Sequence, residues 1–203
     1  MKRFLNAALA AAVLAAGSVP VLAANVSFTG QLAGDNAVQL FSFTLGASSD
    51  VTLRTWSYAG GMNATGSLVS AGGFDPVVSL FFGSGDAALL IGADDDGFGV
   101  AADPSTGLAL DSLLESAALP AGNYTVALTQ VANFANGPTL GDGFLGAGNP
   151  GFDGRSNAWA LDILGVASAT VVPEPTTFLL TMLGLSALGG ATRRRRKAIT
   201  SSA

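Results

Sequence analysis

The chain reads as an all-β protein: an antiparallel, jelly-roll-like β-sandwich of about eight strands, flanked by an N-terminal signal helix and a C-terminal transmembrane helix. Three observations lead there. Apolar residues alternate at period two through the middle of the chain, glycine- and proline-rich turns separate those runs, and an apolar segment with basic residues marks each end.

At the start, Lys2 and Arg3 precede the apolar run Phe4 to Val13, broken only by Asn6, which continues through Leu14-Ala15-Ala16 to Gly17-Ser18-Val19-Pro20 and the small residues Ala23 and Ala24. Charged, apolar and small-residue regions in this order are those of a secretory signal peptide, residues 1–24, cut after Ala23 or Ala24.

The middle, residues 25–171, is the folding unit, long enough for one good core. Gln39 to Leu45 places Phe41, Phe43 and Leu45 on one face, Val51 to Trp56 groups Val51, Leu53 and Thr55, and Tyr124 to Leu128 groups Tyr124, Val126 and Leu128. Trp159, Leu161 and Ile163 repeat the pattern. Val77 to Phe82 and Ala88 to Ile91 are more continuously apolar, as strands buried on both faces are. Turns fall at Gly34-Asp35, Gly83-Ser84-Gly85-Asp86 and Pro120-Ala121-Gly122-Asn123. Thr106 to Ala118 mixes helical and strand periods and is assigned as a strand. Phe134 to Asn157 holds seven scattered glycines around Phe144 and Phe152, and is expected to be a long hairpin connection whose phenylalanines plug the sandwich edge.

Composition narrows the chemistry. With no cysteine and no histidine, disulfides, thiol catalysis, a Ser-His-Asp triad and His-ligated zinc are all excluded. Between residues 25 and 171 thirteen acids face only Arg54 and Arg155, a net of −11 that repels nucleic acid and anionic lipid. The densest charge is Asp94-Asp95-Asp96. With Asp75 these form a candidate calcium site, to which Asp103 and Asp111 could add oxygens, since calcium takes six to eight of them. Ser105, twelfth from Asp94, stands where an EF-hand needs its bidentate glutamate, so that loop is ruled out.

At the far end, Val172-Pro173-Glu174-Pro175 leads into the apolar segment Phe178 to Ala191 and then Arg193, Arg194, Arg195, Arg196 and Lys197. Fourteen helical residues reach about 21 Å, short of the roughly 30 Å hydrocarbon core, so this is a short span. The basic cluster acts as a stop-transfer signal on the cytoplasmic side, leaving the N-terminus and the domain outside.

That ordered set, Pro-Glu-Pro, short apolar helix and basic cluster, resembles the PEP-CTERM sorting signal of Gram-negative bacteria from Val172 to Lys197, within a sorting tail of residues 172–203, a segment also called the ice-binding-protein C-terminal domain. The resemblance implies recognition of Val172, Pro173, Glu174 and Pro175 by an exosortase, a membrane enzyme with a catalytic cysteine. Residues 28–131 are similar to bacterial pre-peptidase C-terminal domains, on Gly30-Gln31-Leu32, Gln39 to Leu45, Phe74 to Leu80, Asp94 to Gly97 and Leu119 to Val126. That likeness implies a β-sandwich accessory or binding module, some of which bind calcium.

The expectation is a non-enzymatic exported surface or extracellular-matrix protein, first an inner-membrane precursor and then a monomer at the cell surface, with exosortase and biofilm exopolysaccharide as partners and no nucleic acid. The alternatives are a carbohydrate-binding module, for which Trp56, Tyr58 and Trp159 are the aromatics to inspect, and a carboxylate-based glycoside hydrolase. The latter has only Glu115 as a glutamate in the domain, in what reads as a core strand.

Overall fold

A computed structural model describes residues 24–173. The signal segment, Glu174, Pro175, the apolar segment after them and Arg193 to Lys197 lie outside the described residues. No helix among the described residues is long and apolar enough to cross a membrane.

Among the described residues eleven strands form: β1 (Ala24–Gln31), β2 (Gln39–Leu45), β3 (Ser49–Thr55), β4 (Gly61–Met62), β5 (Leu68–Val69), β6 (Pro76–Phe82), β7 (Leu89–Asp94), β8 (Leu113–Leu119), β9 (Gly122–Gln130), β10 (Ala158–Val166) and β11 (Ala169–Val172). One sheet is ordered β1-β10-β3-β8 and the other β11-β2-β9-β6-β7, while β4 and β5 make a separate small hairpin. All strand pairings within these sheets are antiparallel. With β11 and the hairpin set aside, the other eight strands follow the double Greek-key order of a jelly roll.

The alternation seen in the sequence builds the core. Phe41, Phe43 and Leu45 from β2 meet Val51 and Leu53 from β3 and Trp159, Leu161 and Ile163 from β10 in one buried cluster. Phe41 contacts rings of the opposite sheet on two sides, tilted against Phe28 at 5.0 Å and edge-on to Trp159 at 5.6 Å. Tyr124 stacks on Phe43 at 5.0 Å and donates its hydroxyl to the carbonyl of Pro120 at 2.6 Å, pinning the corner where the chain passes from β8 to β9.

β6 and β9 are buried on both faces because the five-stranded sheet is covered outside as well. Phe81, Ala88 and Ala127 form a second cluster there, packed by Leu40, Leu140 and Phe144. The glycine-rich connection supplies that cover. It joins β9 to β10 in different sheets, so it is a crossover and not the expected hairpin, but its phenylalanines do pack inward, Phe144 on the second cluster and Phe152 against Phe74 at 5.5 Å. Its glycines permit close approach: a Cβ on Gly148 would collide with the backbone carbonyl of Asp35.

The assigned strand over Thr106 to Ala118 is a strand only from Leu113. Before that point Asp103 turns the chain by accepting the amides of Ser105 and Thr106, and Leu108 is left half-exposed on a loop. β8 is an edge strand, and Glu115 is exposed on it rather than part of a core strand.

Candidate functional site

Two places bring together residues that the fold alone does not account for. The first is a cleft at one end of the sandwich, beyond β3 and before β6. Asp111 shapes it. One of its carboxylate oxygens accepts from Thr55 Oγ1 at 2.9 Å and from the amides of Ser57 at 2.6 Å and Tyr58 at 3.1 Å, and the other accepts the amide of Ala59 at 2.8 Å. The loop after β3 is thereby wrapped around a single carboxylate, and Tyr58 is held in place.

Arg155 closes the wall. Its guanidinium lies 3.7 Å over the Tyr58 ring, its Nε donates to the carbonyl of Gly73 at 2.5 Å, and its Nη2 donates to the carbonyl of Tyr58 at 2.8 Å and to Asp103 at 2.5 Å. The Ser105 hydroxyl, followed by Arg155, holds the Asp103 carboxyl well below the usual carboxylate range.

Asp75 is the exception in this network. Its Oδ1 is buried without a hydrogen-bond partner. Burial, reinforced by the charges of Asp96, Asp95 and Asp111 and only partly countered by Arg155, pushes its pKa up to about 7. It lines a cleft of about 340 Å³ with Tyr58, Leu108, Leu110, Phe152 and Arg155. On the rim Gly151, Phe152 and Asp153 run consecutively in the left-handed region, with φ of 59°, 52° and 54°. The non-glycine members are strained by roughly 1–2 kcal/mol each, a pattern that concentrates at functional sites.

The other predicted acids are placed differently. Asp94 ends β7 and accepts the amide of Leu113 at 2.7 Å, tying β7 to the start of β8, and burial raises its pKa. Asp96 is also raised, by burial and then by Asp95 and Asp94. No group of three or more carboxylates among the described residues is arranged to hold a metal ion. Asp75, Asp94, Asp95 and Asp96 therefore lie near one another without forming a calcium cage, and Asp103 and Asp111 are already occupied by protein donors.

The aromatics expected to offer a sugar platform are occupied too. Trp159 is core, Tyr58 is covered by Arg155, and Trp56 lies under Arg54 at 3.9 Å with its indole N–H on Asp162 at 2.6 Å. Among the described residues Phe98, next to the acidic run, is almost fully exposed and Phe82 partly so; sequence periodicity gives no reason to single out Phe98.

The second place is where the chain leaves the fold. β11 pairs with β2, Val171 opposite Phe41 and Val172 opposite Leu40, and Pro173 follows with no amide to continue the ladder. Residues 171–197 match the PEP-CTERM protein-sorting motif. The C-terminal tail is a PEP-CTERM sorting signal. No curated protein matches the chain. Such a signal implies an exported protein that an exosortase recognises and processes at the membrane. The PEP-CTERM match begins at residue 171, one residue before the boundary read from the sequence, and so inside β11.

Proposed function

We propose that this is a non-enzymatic surface or extracellular-matrix protein, exported through its signal peptide, released by an exosortase, and associated with exopolysaccharide as a folded acidic β-sandwich. The observation that carries this reading is the direct passage of a closed sandwich, through β11, into the PEP-CTERM motif. The net of −11 in the domain favours solvation over adhesion to anionic surfaces, as suits a protein spaced within a hydrated matrix. The test is co-sedimentation of the mature protein with exopolysaccharide from the producing cells. Protein that stays in the supernatant at every polysaccharide concentration would refute the matrix role.

A second reading, a carbohydrate-binding module, is favoured by the Asp75 cleft. Asp75 lines the cleft beside Tyr58, Leu108 and Leu110, and a carboxyl next to an apolar floor suits a sugar ring with its hydroxyls. Calorimetric titration with oligosaccharides from the same polymer tests it. Equal heats from the wild type and Asp75→Ala would remove the cleft from consideration.

A further inference from the structure

The sorting signal and the folded domain share residues. Val171 and Val172 are rungs of the five-stranded sheet and also the first residues of the motif. From Val172 to Phe178, where the apolar segment starts, are six residues, at most about 20 Å of extended chain at roughly 3.3 Å each. A membrane enzyme that grips Pro173 to Pro175 therefore also meets the wall of the sandwich around β11.

That wall is not featureless. Directly opposed residues of neighbouring strands point to the same face, so Val172, Leu40 and Ala127, paired in succession across β11, β2 and β9, all point outward. The crossover covers much of this outer face but stops short of β11. Between them lies an apolar groove of about 510 Å³ lined by Ala37, Val38, Leu40, Leu140, Phe144 and Val172, with Asp86 at its border. Val172 belongs to the groove and to the motif at once, so the groove continues the surface that the exosortase must contact.

We infer that the groove is a docking surface for the exosortase, gripped together with Pro-Glu-Pro. This rests on the reading of the tail as an exosortase substrate. The occupant is a protein loop or helix carrying apolar side chains, since a groove of this size takes a few leucine- or phenylalanine-sized groups. An anionic lipid surface fits poorly, because Asp86 borders the groove and the domain as a whole carries strong negative charge.

The test places a photo-crosslinking amino acid in the full-length precursor, as Leu140→benzoylphenylalanine or Glu174→benzoylphenylalanine, in cells holding an exosortase whose catalytic cysteine is replaced. Exosortase adducts from both positions are expected. Adducts from residue 174 but not residue 140 overturn the groove and leave the sorting reading standing, whereas adducts from neither overturn both. Adducts from residue 140 to lipid, to the tail of the same chain or to a second precursor also overturn the proposal. With active exosortase, Leu140→Asp should slow precursor conversion about tenfold, while Leu145→Asp, exposed outside the groove lining, should not. Equal conversion rates for the two, with both precursors equally resistant to protease, would likewise overturn it.

Discussion

The guanidinium of Arg155 meets the carboxylate of Asp103 at 2.5 Å, with both side chains largely withdrawn from water. Removing one partner strands the other charge in a poorly solvated site, which costs far more than breaking a surface pair. Arg155→Ala should lower the melting temperature by about 10 °C. Arg155→Lys should recover little of this, because an ammonium cannot reproduce the stack on Tyr58 and the forked bonds to Gly73 and Tyr58. Calorimetric melting of the three proteins checks both statements, and near-equality of wild type and Arg155→Lys would contradict the second.

Asp75 should make the domain less stable as pH rises. Its pKa goes from 3.8 as an ordinary carboxyl to about 7 in the fold, so between about pH 4 and 7 the native state binds more protons than the unfolded one. The contribution is fully present below pH 4, declines through that window and is flat above it. Asp103 has the opposite sign, and its contribution disappears only as pH falls below the usual carboxylate range. Asp75→Asn should flatten the melting temperature between pH 4 and 7 and raise it at pH 8. An unchanged slope would show that Asp75 is not the group responsible.

Two glycines separate backbone need from composition. A Cβ on Gly148 meets the Asp35 carbonyl, whereas one on Gly34 meets nothing within 4 Å. Gly148→Ala should cost about 1–3 kcal/mol by overpacking. Gly34→Ala should be neutral or stabilising by up to about 1 kcal/mol. Urea unfolding of both variants measures the contrast.

Calcium at millimolar concentration should leave the melting curve unchanged at pH 7.5, because Asp94 already accepts the Leu113 amide and the described carboxylates do not converge. A shift seen with calcium but not with magnesium would mean that Asp75, Asp95 and Asp96 rearrange around the ion.

Intact-mass measurement of protein recovered from the cell surface or medium should give a chain that begins at Ala24 or Asn25 and ends near Val172 to Pro175. Bulk protein still carrying Arg193 to Lys197 would mean an ordinary anchor. Replacing Pro173, Glu174 and Pro175 with alanine should trap the precursor in the inner membrane.

Much of the sandwich was legible because burial on one face imposes alternation. β2 runs from Gln39 to Leu45 in line with its phenylalanines, β6, β9 and β10 enclose the runs of their alternating or apolar residues, and β3 covers Val51 to Thr55 but stops one residue short of Trp56. β1 and β11 were not, since each adjoins a targeting segment whose composition dominates its neighbourhood. Leu108 and Leu110 look like strand residues because they are apolar, but the Asp103 turn directs that stretch into a loop over the cleft. Asp75 was legible as an acid but not as a buried one. Its burial comes from Phe152 and Arg155, which the crossover brings in from far along the chain, together with Tyr58 from the loop after β3.

β1 lies on β10, and β2 lies on both β9 and β11, so Phe28 faces Leu161 and Leu40 faces Val172. A chain that crosses the inner membrane amino end first delivers β1 and β2 long before the strands that pair with them. Until the last strands arrive the sheet edges stay open, and pairings this distant form slowly. On the export route proposed above, β11 would emerge only as the apolar segment that starts six residues after Val172 reached the membrane, so completion of folding and arrest at the bilayer would coincide, and a chain truncated before β10 could neither close the sandwich nor offer its address.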